Sequence, residues 1–202
     1  MMPRLRTHSA QRWTVAEAGV RPAVFVDRDG TLLQEKEYLA DPAGVEMLPG
    51  AMEAVRALKD GGFAVVVVTN QSGIARGLYT LEAYEAVAAR VNEVLREHGA
   101  TVDGTYFCPH HPEVTGDCDC RKPGTGMYQA AAEELDLDLA RSYYVGDKVT
   151  DVLPGIALGG VPILVCTGYG AEHEATVPRE TRVVQDFSEA AQLILSAVGN
   201  AG

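Results

Sequence analysis

Short runs of β-branched residues alternate with helical patterns along most of this chain, beginning at Ala23. The run FAVVVVTN at 63–70 is apolar at almost every position, which indicates a strand buried on both of its faces. The intervening segments carry apolar residues three and four apart, and two of them stop at glycines, as helices do. This alternation is typical of parallel α/β proteins, in which helices cover both faces of one sheet.

The pattern predicts a doubly wound, Rossmann-like and mostly parallel sheet. We expect strands at 23–27, 63–70, 102–108, 142–147, 161–168 and 181–184. Helical patterns fall at 50–62, 80–99, 126–136 and 188–198. A length of 202 residues suits one domain, which we place at 22–202, and residues 1–21 are predicted to be a loosely attached extension.

The charge balance limits the partners of this chain. A net charge of −11 argues against a nucleic-acid surface, because phosphate backbones are bound by clustered lysines and arginines. No run approaches the roughly 18 apolar residues that span a bilayer, so we expect no membrane association. The first 22 residues lack the apolar core of a signal peptide, which favours a cytoplasmic protein with reduced cysteines. Any anionic substrate must therefore meet local cations.

Polar motifs follow three of the predicted strands. Asp27 and Asp29 lie in DRDGT after the first strand, and Thr69 and Asn70 end the second. Two carboxylates at this spacing suit a nucleophile with an acid/base partner, although aspartates also stabilise ordinary turns. The hydroxyl and amide of Thr69 and Asn70 can hold phosphate oxygens, but this composition is also common in loops.

The third motif is GDKVTD at 146–151, after the fourth strand. Asp147 and Asp151 can hold Mg²⁺ there and Lys148 adds positive charge, although Asp147 could simply cap a helix and Asp151 could be solvated. Because ligands bind at the carboxyl ends of parallel strands, these motifs are expected to converge on one site. Arg121 and Lys122, in the sequence RKP, supply cations for a phosphate or for sugar oxygens.

In this order the motifs resemble those of the haloacid dehalogenase superfamily of phosphatases, over roughly residues 23 to 170. The resemblance implies that Asp27 attacks phosphorus to form an aspartyl-phosphate and that Asp29 serves as acid and base. It also implies Mg²⁺ held by Asp27, the main-chain carbonyl of Asp29 and Asp147. Phosphate contacts are implied for Thr69, Asn70 and Lys122. No insertion long enough for a cap domain follows the first or second motif.

The segment CPHHPEVTGDCDC at 108–120 crowds cysteines and histidines directly before Arg121. Four soft donors fit a four-coordinate structural Zn²⁺ site, for which we choose Cys108, His110, Cys118 and Cys120. His111 is the competing imidazole, and incidental thiols in a loop are the alternative. Zinc bound here would orient the loop that carries the phosphate-binding cations.

A zinc loop of this kind resembles that of one branch of the superfamily. The branch contains the heptose bisphosphate phosphatases and the histidinol phosphate phosphatases. The sequence TNQSGIARG at 69–77 and the loop bearing Tyr38 resemble the heptose members. We therefore expect a small phosphorylated sugar as substrate, read by Arg121 and less directly by Arg76, and a monomeric enzyme. Histidinol phosphate hydrolysis and a non-catalytic, zinc-stabilised phosphosugar-binding protein remain the alternatives.

Overall fold

The structure is a computed structural model, and it describes residues 20–199. Of the predicted extension, residues 1–19 lie outside the described residues, and the first strand begins at Arg21. Among the described residues, no helix is both long and apolar enough to cross a membrane.

The described residues form one α/β domain around a six-stranded sheet. The strands are β1 (Arg21–Val26), β2 (Ala64–Asn70), β3 (Gly104–Cys108), β4 (Leu137–Gly146), β5 (Val161–Val165) and β6 (Arg182–Val184). Their order is β3-β2-β1-β4-β5-β6, and every neighbouring pair is parallel. The predicted doubly wound parallel sheet is confirmed. The chain reverses its direction of winding between β1 and β4, so the ligand crevice is expected beyond the carboxyl ends of these two strands.

Helices connect the strands on both faces of the sheet. The longer ones are α1 (Ala51–Asp60), α2 (Leu81–Glu97), α4 (Gly126–Leu135), α5 (Val149–Ala157) and α7 (Phe187–Gly199). Two four-residue helices, α3 (Pro112–Thr115) and α6 (Gly170–His173), were not predicted. A short 3₁₀ turn at Pro42–Gly44 interrupts the loop between β1 and α1. Only loops follow β1 and β2 before the next α-helix, which agrees with the expected lack of a cap domain.

The two faces of the sheet bury two apolar clusters. Val24 and Val26 of β1 point to the face covered by α1 and α7, whereas Ala23 and Phe25 point to the face covered by α4. The period of two along a strand explains this division. Burial on both faces also explains why the central strands are continuous apolar runs in the sequence.

The β4 strand begins five residues earlier than predicted, and its pairing with β1 is irregular. Pro22 pairs with Asp138 but Val24 pairs with Tyr143, so the register shifts around Ala23. The Ser142 hydroxyl replaces the missing strand partner, since it accepts a hydrogen bond from the Ala23 N–H at 2.9 Å and donates to the Asp138 carbonyl. Ser142 is fully buried.

Replacing Ser142 by alanine should therefore lower the free energy of unfolding by about 1–3 kcal/mol, because the buried Ala23 N–H loses its partner. Urea unfolding measures the effect. Ser196→Ala is the matched control, since that exposed hydroxyl bonds only within α7, and its change should stay within about 0.5 kcal/mol. Equal stability of the two variants would contradict this role of Ser142.

Candidate active site

An open cleft of about 320 Å³ lies at the carboxyl ends of the strands, at the point where the winding reverses. The residues that line it include seven of the predicted site residues: Asp27, Asp29, Thr69, Asn70, Lys122, Lys148 and Asp151. The expected convergence of the three strand-end motifs is therefore observed. The individual roles given to these residues stay predictions.

Lys122 is the buried cation of the cleft. Its ammonium lies 2.7 Å from Asp27 Oδ1, 2.7 Å from Asp151 Oδ1 and 2.7 Å from the Val68 carbonyl oxygen. Three acceptors use all three protons of an ammonium group. Burial alone would lower the pKa of Lys122, but the charges of Asp151 and Asp27 outweigh it and raise the pKa above its ordinary value. Lys122 is therefore a permanent positive charge beside Asp27.

The backbone of Lys122 is fixed by Asn70. The Asn70 Oδ1 accepts from the Lys122 N–H at 3.0 Å, and its Nδ2 donates to the Lys122 carbonyl at 3.2 Å. Asn70 was predicted to contact phosphate. In the structure its side-chain amide holds the lysine-bearing loop against the end of β2, and its contact with phosphate stays a prediction.

Asp147 is fully buried among other carboxylates. Its Oδ2 accepts a hydrogen bond from the Tyr169 N–H at 2.9 Å, whereas its Oδ1 is buried and has no hydrogen-bond partner. Burial raises the pKa of Asp147 to about 8, and the charge of Asp27 adds to this effect. Carboxylate oxygens of Asp27, Asp147 and Asp151 lie within 4.8 Å of one another.

These carboxylates fit a hard divalent cation. Oxygen donors with a negative charge are what Mg²⁺ binds. The Oδ1 of Asp147 accepts no hydrogen bond and has only the Lys148 ammonium at 3.6 Å, so a cation could still bind it. Gly30 and Gly168 pack directly on this carboxylate, because a Cβ added to either would overlap the Asp147 Oδ2. Asp151 is already engaged, with its Oδ1 on Lys122 and its Oδ2 accepting from the Lys148 N–H at 2.9 Å. Asp147 and Asp27 therefore have more free capacity for a cation than Asp151 has.

Lys148 reaches over the entrance of the cleft. Its ammonium lies 3.6 Å from Asp147 Oδ1, 3.4 Å from Glu35 Oε2 and 4.6 Å from the centre of the Tyr169 ring. Burial by itself would lower the pKa of Lys148, but Asp147 and Asp27 raise it above its ordinary value. Half burial raises the pKa of Glu35, although Lys148 opposes the shift.

Asp29 is held by side chains that the sequence did not single out. Arg28 Nη2 and Gln71 Nε2 both donate to Asp29 Oδ2, at 2.8 Å and 2.9 Å. Arg28 is itself buried, and its guanidinium stands over the Tyr84 ring at 5.5 Å. Arg28 was missed because an arginine between two aspartates is ordinarily solvated, and no pattern in the sequence marks its partner ring as close.

The predicted zinc ligands form one compact cluster beside the cleft. The donor atoms of Cys108, His110, Cys118 and Cys120 lie within 4.8 Å of one another, with contacts from 3.1 Å for His110 Nδ1 to Cys120 Sγ up to 3.7 Å for the Cys108 and Cys118 sulfurs. Sulfurs on a tetrahedral zinc are roughly 3.8 Å apart, whereas a disulfide requires about 2.05 Å. The spacing fits a metal and not a disulfide, and His110 is the imidazole that faces the thiols.

The predicted substrate arginines are not among the residues that line the cleft. Arg121 Nη1 donates to the His110 carbonyl at 3.3 Å, which places it on the flank of the zinc-ligand cluster. Arg76 donates to the Tyr38 hydroxyl and stacks over the Tyr38 ring at 5.4 Å. Tyr38 itself lines the cleft, so Arg76 is attached to its rim through this contact.

Replacing Asp147 by asparagine should raise the stability of the metal-free protein by about 1–2 kcal/mol and abolish stabilisation by Mg²⁺. Burial makes the ionised carboxylate of Asp147 costly in the metal-free protein, and a neutral amide avoids this cost, but the amide is a poor ligand for the cation. Thermal unfolding with EDTA and with Mg²⁺ measures both effects. Asp60→Asn, at an exposed carboxylate of α1, should keep the full Mg²⁺ shift. An Asp147→Asn protein that also keeps it would contradict the ligand assignment.

Comparison with known proteins gives consistent relatives. Residues 119–190 match the HAD-hydrolase-like family model. The chain is 41% identical to a D-glycero-beta-D-manno-heptose-1,7-bisphosphate 7-phosphatase of Yersinia pestis, over 84% of this chain and 94% of the relative. It is 42% identical to the protein of that name from Escherichia coli K12, over 76% of this chain and 84% of the relative.

Solved structures agree with the sequence comparisons. The fold is similar to that of D,D-heptose 1,7-bisphosphate phosphatase from B. bronchiseptica complexed with magnesium and phosphate, with a TM-score of 0.81 and 35% identity, covering 87% of this chain and 99% of the other. The corresponding Burkholderia thailandensis protein gives a TM-score of 0.68 and 32% identity, with the same two coverages.

Proposed function

The chain belongs to the haloacid dehalogenase family of hydrolases, and from this premise we propose that it is a Mg²⁺-dependent phosphatase acting on D-glycero-β-D-manno-heptose 1,7-bisphosphate. It would remove the C7 phosphate and leave the phosphate at the anomeric carbon. The observation that carries the proposal is the buried group of Asp27, Lys122 and Asp147, of which Asp27 and Lys122 line an open cleft, in a chain whose relatives bear that name.

Asp27 is the proposed nucleophile. Asp27 directly follows β1 and lines the cleft, and one of its carboxylate oxygens lies 2.7 Å from the Lys122 ammonium. An anionic carboxylate and an anionic phosphate repel each other, so a fixed ammonium beside the carboxylate lowers the cost of approach. Attack of an Asp27 oxygen on phosphorus would break the bond to the sugar oxygen and give an aspartyl-phosphate on Asp27.

The metal would be held by Asp27, Asp147 and the main-chain carbonyl of Asp29. Bound Mg²⁺ supplies positive charge that stabilises the phosphoryl oxygens during transfer. Asp151 is proposed to be the counter-ion of Lys122, since both of its oxygens are already engaged. The two carboxylates of GDKVTD would then have different roles, with Asp147 binding the metal and Asp151 pairing with Lys122.

Asp29 is the proposed acid and base. Its side chain lines the cleft two residues after Asp27 and is about one-sixth exposed. It would protonate the sugar oxygen as the phosphorus–oxygen bond breaks and then accept a proton from the water that hydrolyses the aspartyl-phosphate. Thr69, at the end of β2, would donate a hydrogen bond to the transferred phosphate.

The second phosphate of the substrate needs a cation away from Asp27. Lys148 lines the cleft, and Arg121 lies on the flank of the cysteine and histidine cluster. Only loops cover the cleft, so selectivity would come from these side chains and from the Tyr38 loop. A small sugar bisphosphate fits a site with several separate cations around an open entrance.

Zinc is proposed to bind Cys108, His110, Cys118 and Cys120 in a structural role. Four protein donors close a tetrahedral site, which leaves no position for substrate or water. Arg121 and Lys122 follow Cys120 directly, so the metal would fix the start of the cation-bearing turn. The chemistry would remain with the aspartates.

We expect kcat/KM for heptose 1,7-bisphosphate to exceed that for histidinol phosphate, with phosphate released from C7. Arg121→Ala should lower kcat/KM for the bisphosphate by about 10- to 100-fold, because a charged contact is lost. Phosphate release with a panel of sugar and amino-alcohol phosphates is the measurement. Arg90→Ala, at an exposed arginine of α2, is the control and should change little. Better turnover of histidinol phosphate would assign the protein to that reaction instead.

Protein purified without added metal should contain about one zinc per chain. The double change Cys118→Ser and Cys120→Ser should remove the zinc, lower the thermal midpoint and weaken substrate binding, because the loop loses its anchor. Elemental analysis and thermal unfolding are the measurements. Cys166→Ser lies outside the cluster and should keep the zinc. Absence of zinc, or a double variant with unchanged stability and activity, would refute the site.

A further inference from the structure

Gln71 is a buried side chain of the cleft to which neither the motifs nor the proposed reaction gives a task. It follows the last residue of β2 and is only 4% exposed. Its backbone N–H donates to the Cys108 carbonyl at 2.7 Å, which continues the pairing of β2 with β3. The residue is thus fixed by the sheet before its side chain makes any contact.

The side-chain amide of Gln71 is fully used. Nε2 donates to Asp29 Oδ2 at 2.9 Å and to Thr69 Oγ1 at 3.0 Å, and Oε1 accepts from the Tyr79 hydroxyl at 2.6 Å. Both amide protons therefore go to residues of the proposed reaction. The remaining bond goes to a tyrosine whose pKa burial raises to about 12, so its hydroxyl stays protonated and can donate.

The orientation of this amide follows from chemistry. An ionised carboxylate only accepts hydrogen bonds, so the end of the amide that faces Asp29 must be the NH₂ group. The opposite orientation would place two oxygens in contact and leave the Tyr79 hydroxyl facing a donor. Tyr79 thereby fixes the amide from one side and Asp29 fixes it from the other.

Thr69 gains a defined hydrogen-bond direction from this contact. Its oxygen accepts a hydrogen bond from Gln71 Nε2, so its own hydroxyl proton is directed to a different acceptor. Thr69 is buried at the end of β2 and lines the cleft. A phosphoryl oxygen bound in the cleft is an acceptor that this proton can serve.

The two oxygens of Asp29 become unequal through the same network. Oδ2 accepts from Gln71 Nε2 and from Arg28 Nη2, at 2.9 Å and 2.8 Å, and it also shares Arg28 Nε. Oδ1 has only the shared Arg28 Nε, at 3.1 Å. Oδ2 is therefore saturated, and Oδ1 is the oxygen with free lone pairs.

We propose that Gln71 is a positioning residue that holds Asp29 so that Oδ1 exchanges the proton with the leaving oxygen, and that Tyr79 anchors Gln71. The inference rests on the proposed phosphatase function and adds to it the atom of Asp29 that acts and the side chain that selects this atom. Arg28 holds the same carboxylate, with Nη2 on Oδ2 and Nε shared between the two oxygens.

The proton follows a balanced path. As the Asp27 oxygen bonds to phosphorus, the bond from phosphorus to the sugar oxygen breaks, and the proton on Asp29 Oδ1 passes to that oxygen. In the second step water bonds to phosphorus, its proton passes to Asp29 Oδ1, and the bond from phosphorus to Asp27 breaks. Gln71 exchanges no proton in either step.

The test compares two leaving groups in the Gln71→Met protein. The sugar oxygen of an alkyl phosphate such as the heptose bisphosphate needs the proton from Asp29 in order to leave. From 4-nitrophenyl phosphate, 4-nitrophenolate leaves as a stable anion without that proton. Because kcat/KM reports only the first phosphoryl transfer, it isolates the acid step. We expect kcat/KM to fall by about 10- to 100-fold on the sugar phosphate and by less than about threefold on the aryl phosphate.

Controls separate positioning from general damage. Gln129→Met, at an exposed glutamine of α4, should change neither rate. The Mg²⁺-induced rise in thermal midpoint should be the same for Gln71→Met and for the unmodified protein, because Gln71 contacts neither Asp27 nor Asp147. Equal losses on both substrates, or no loss on either, would overturn the inference.

Tyr79→Phe gives a second, milder variant that leaves both amide protons of Gln71 in place. It should lower kcat/KM on the sugar phosphate by roughly 3- to 10-fold and leave the aryl phosphate unaffected, because the amide loses only its anchor. An unchanged sugar-phosphate rate would refute the anchor. If the unmodified protein hydrolyses neither ester with Mg²⁺, the proposed function itself fails, which differs from a variant that loses both rates equally.

Discussion

The ammonium of Lys122 is the interaction on which the rest of this site depends. Its three acceptors come from three separate segments of the chain: Asp27 directly after β1, Val68 within β2, and Asp151 in the first turn of α5. Lys122 itself comes from the loop after β3. A buried charge without partners costs several kcal/mol, so the four segments must meet for the lysine to be tolerated there. The arrangement therefore fixes the base of the cleft as well as its charge.

The loop that carries Lys122 is attached to the sheet at two nearby points, at Lys122 itself and at Cys120. Asn70 pairs with the backbone N–H and carbonyl of Lys122, much as a neighbouring strand would. On the other side, Cys120 lies in the cluster with Cys108, the last residue of β3. Because the proposed zinc would join these two cysteines, it would tie the loop to the sheet directly before the cations. A long irregular loop can then present a lysine as rigidly as a strand does.

The sequence predicted the sheet and the main site residues because their signals are local. Apolar runs mark buried strands, and Asp27, Thr69 and Asp147 stand where those runs end, so the parallel topology alone brings them together. The unpredicted features depend on tertiary contacts. Arg28 can be buried because its guanidinium pairs with Asp29 and stands over the Tyr84 ring. Tyr84 lies on α2, far along the chain from Arg28.

The partners of some polar side chains were harder to predict, because more than one kind of partner suits the same side chain. Asn70 suits phosphate by composition, but the approach of the Lys122 backbone decides its partner. Asp151, weighed as a metal ligand or a solvated residue, is buried rather than solvated, and it pairs with Lys122. Gln71 lies in a sequence whose composition is common in loops, but its side-chain amide forms hydrogen bonds with Asp29, Thr69 and Tyr79. In each case the partner of the side chain depends on the distance between two segments that are separate in the sequence. The periodicity of apolar residues does not predict that distance.

The central claim is that Asp27, paired with Lys122, attacks phosphorus. The most direct measurement is rapid quenching of the enzyme with Mg²⁺ and substrate, followed by mass spectrometry of the peptide that contains residues 27 and 29. The account predicts an acid-stable phosphate on Asp27 that disappears in the Asp27→Asn protein and persists longer when Asp29 is replaced by asparagine. A phosphoenzyme in the Asp27→Asn protein, or a phosphate located on Asp29, would contradict it.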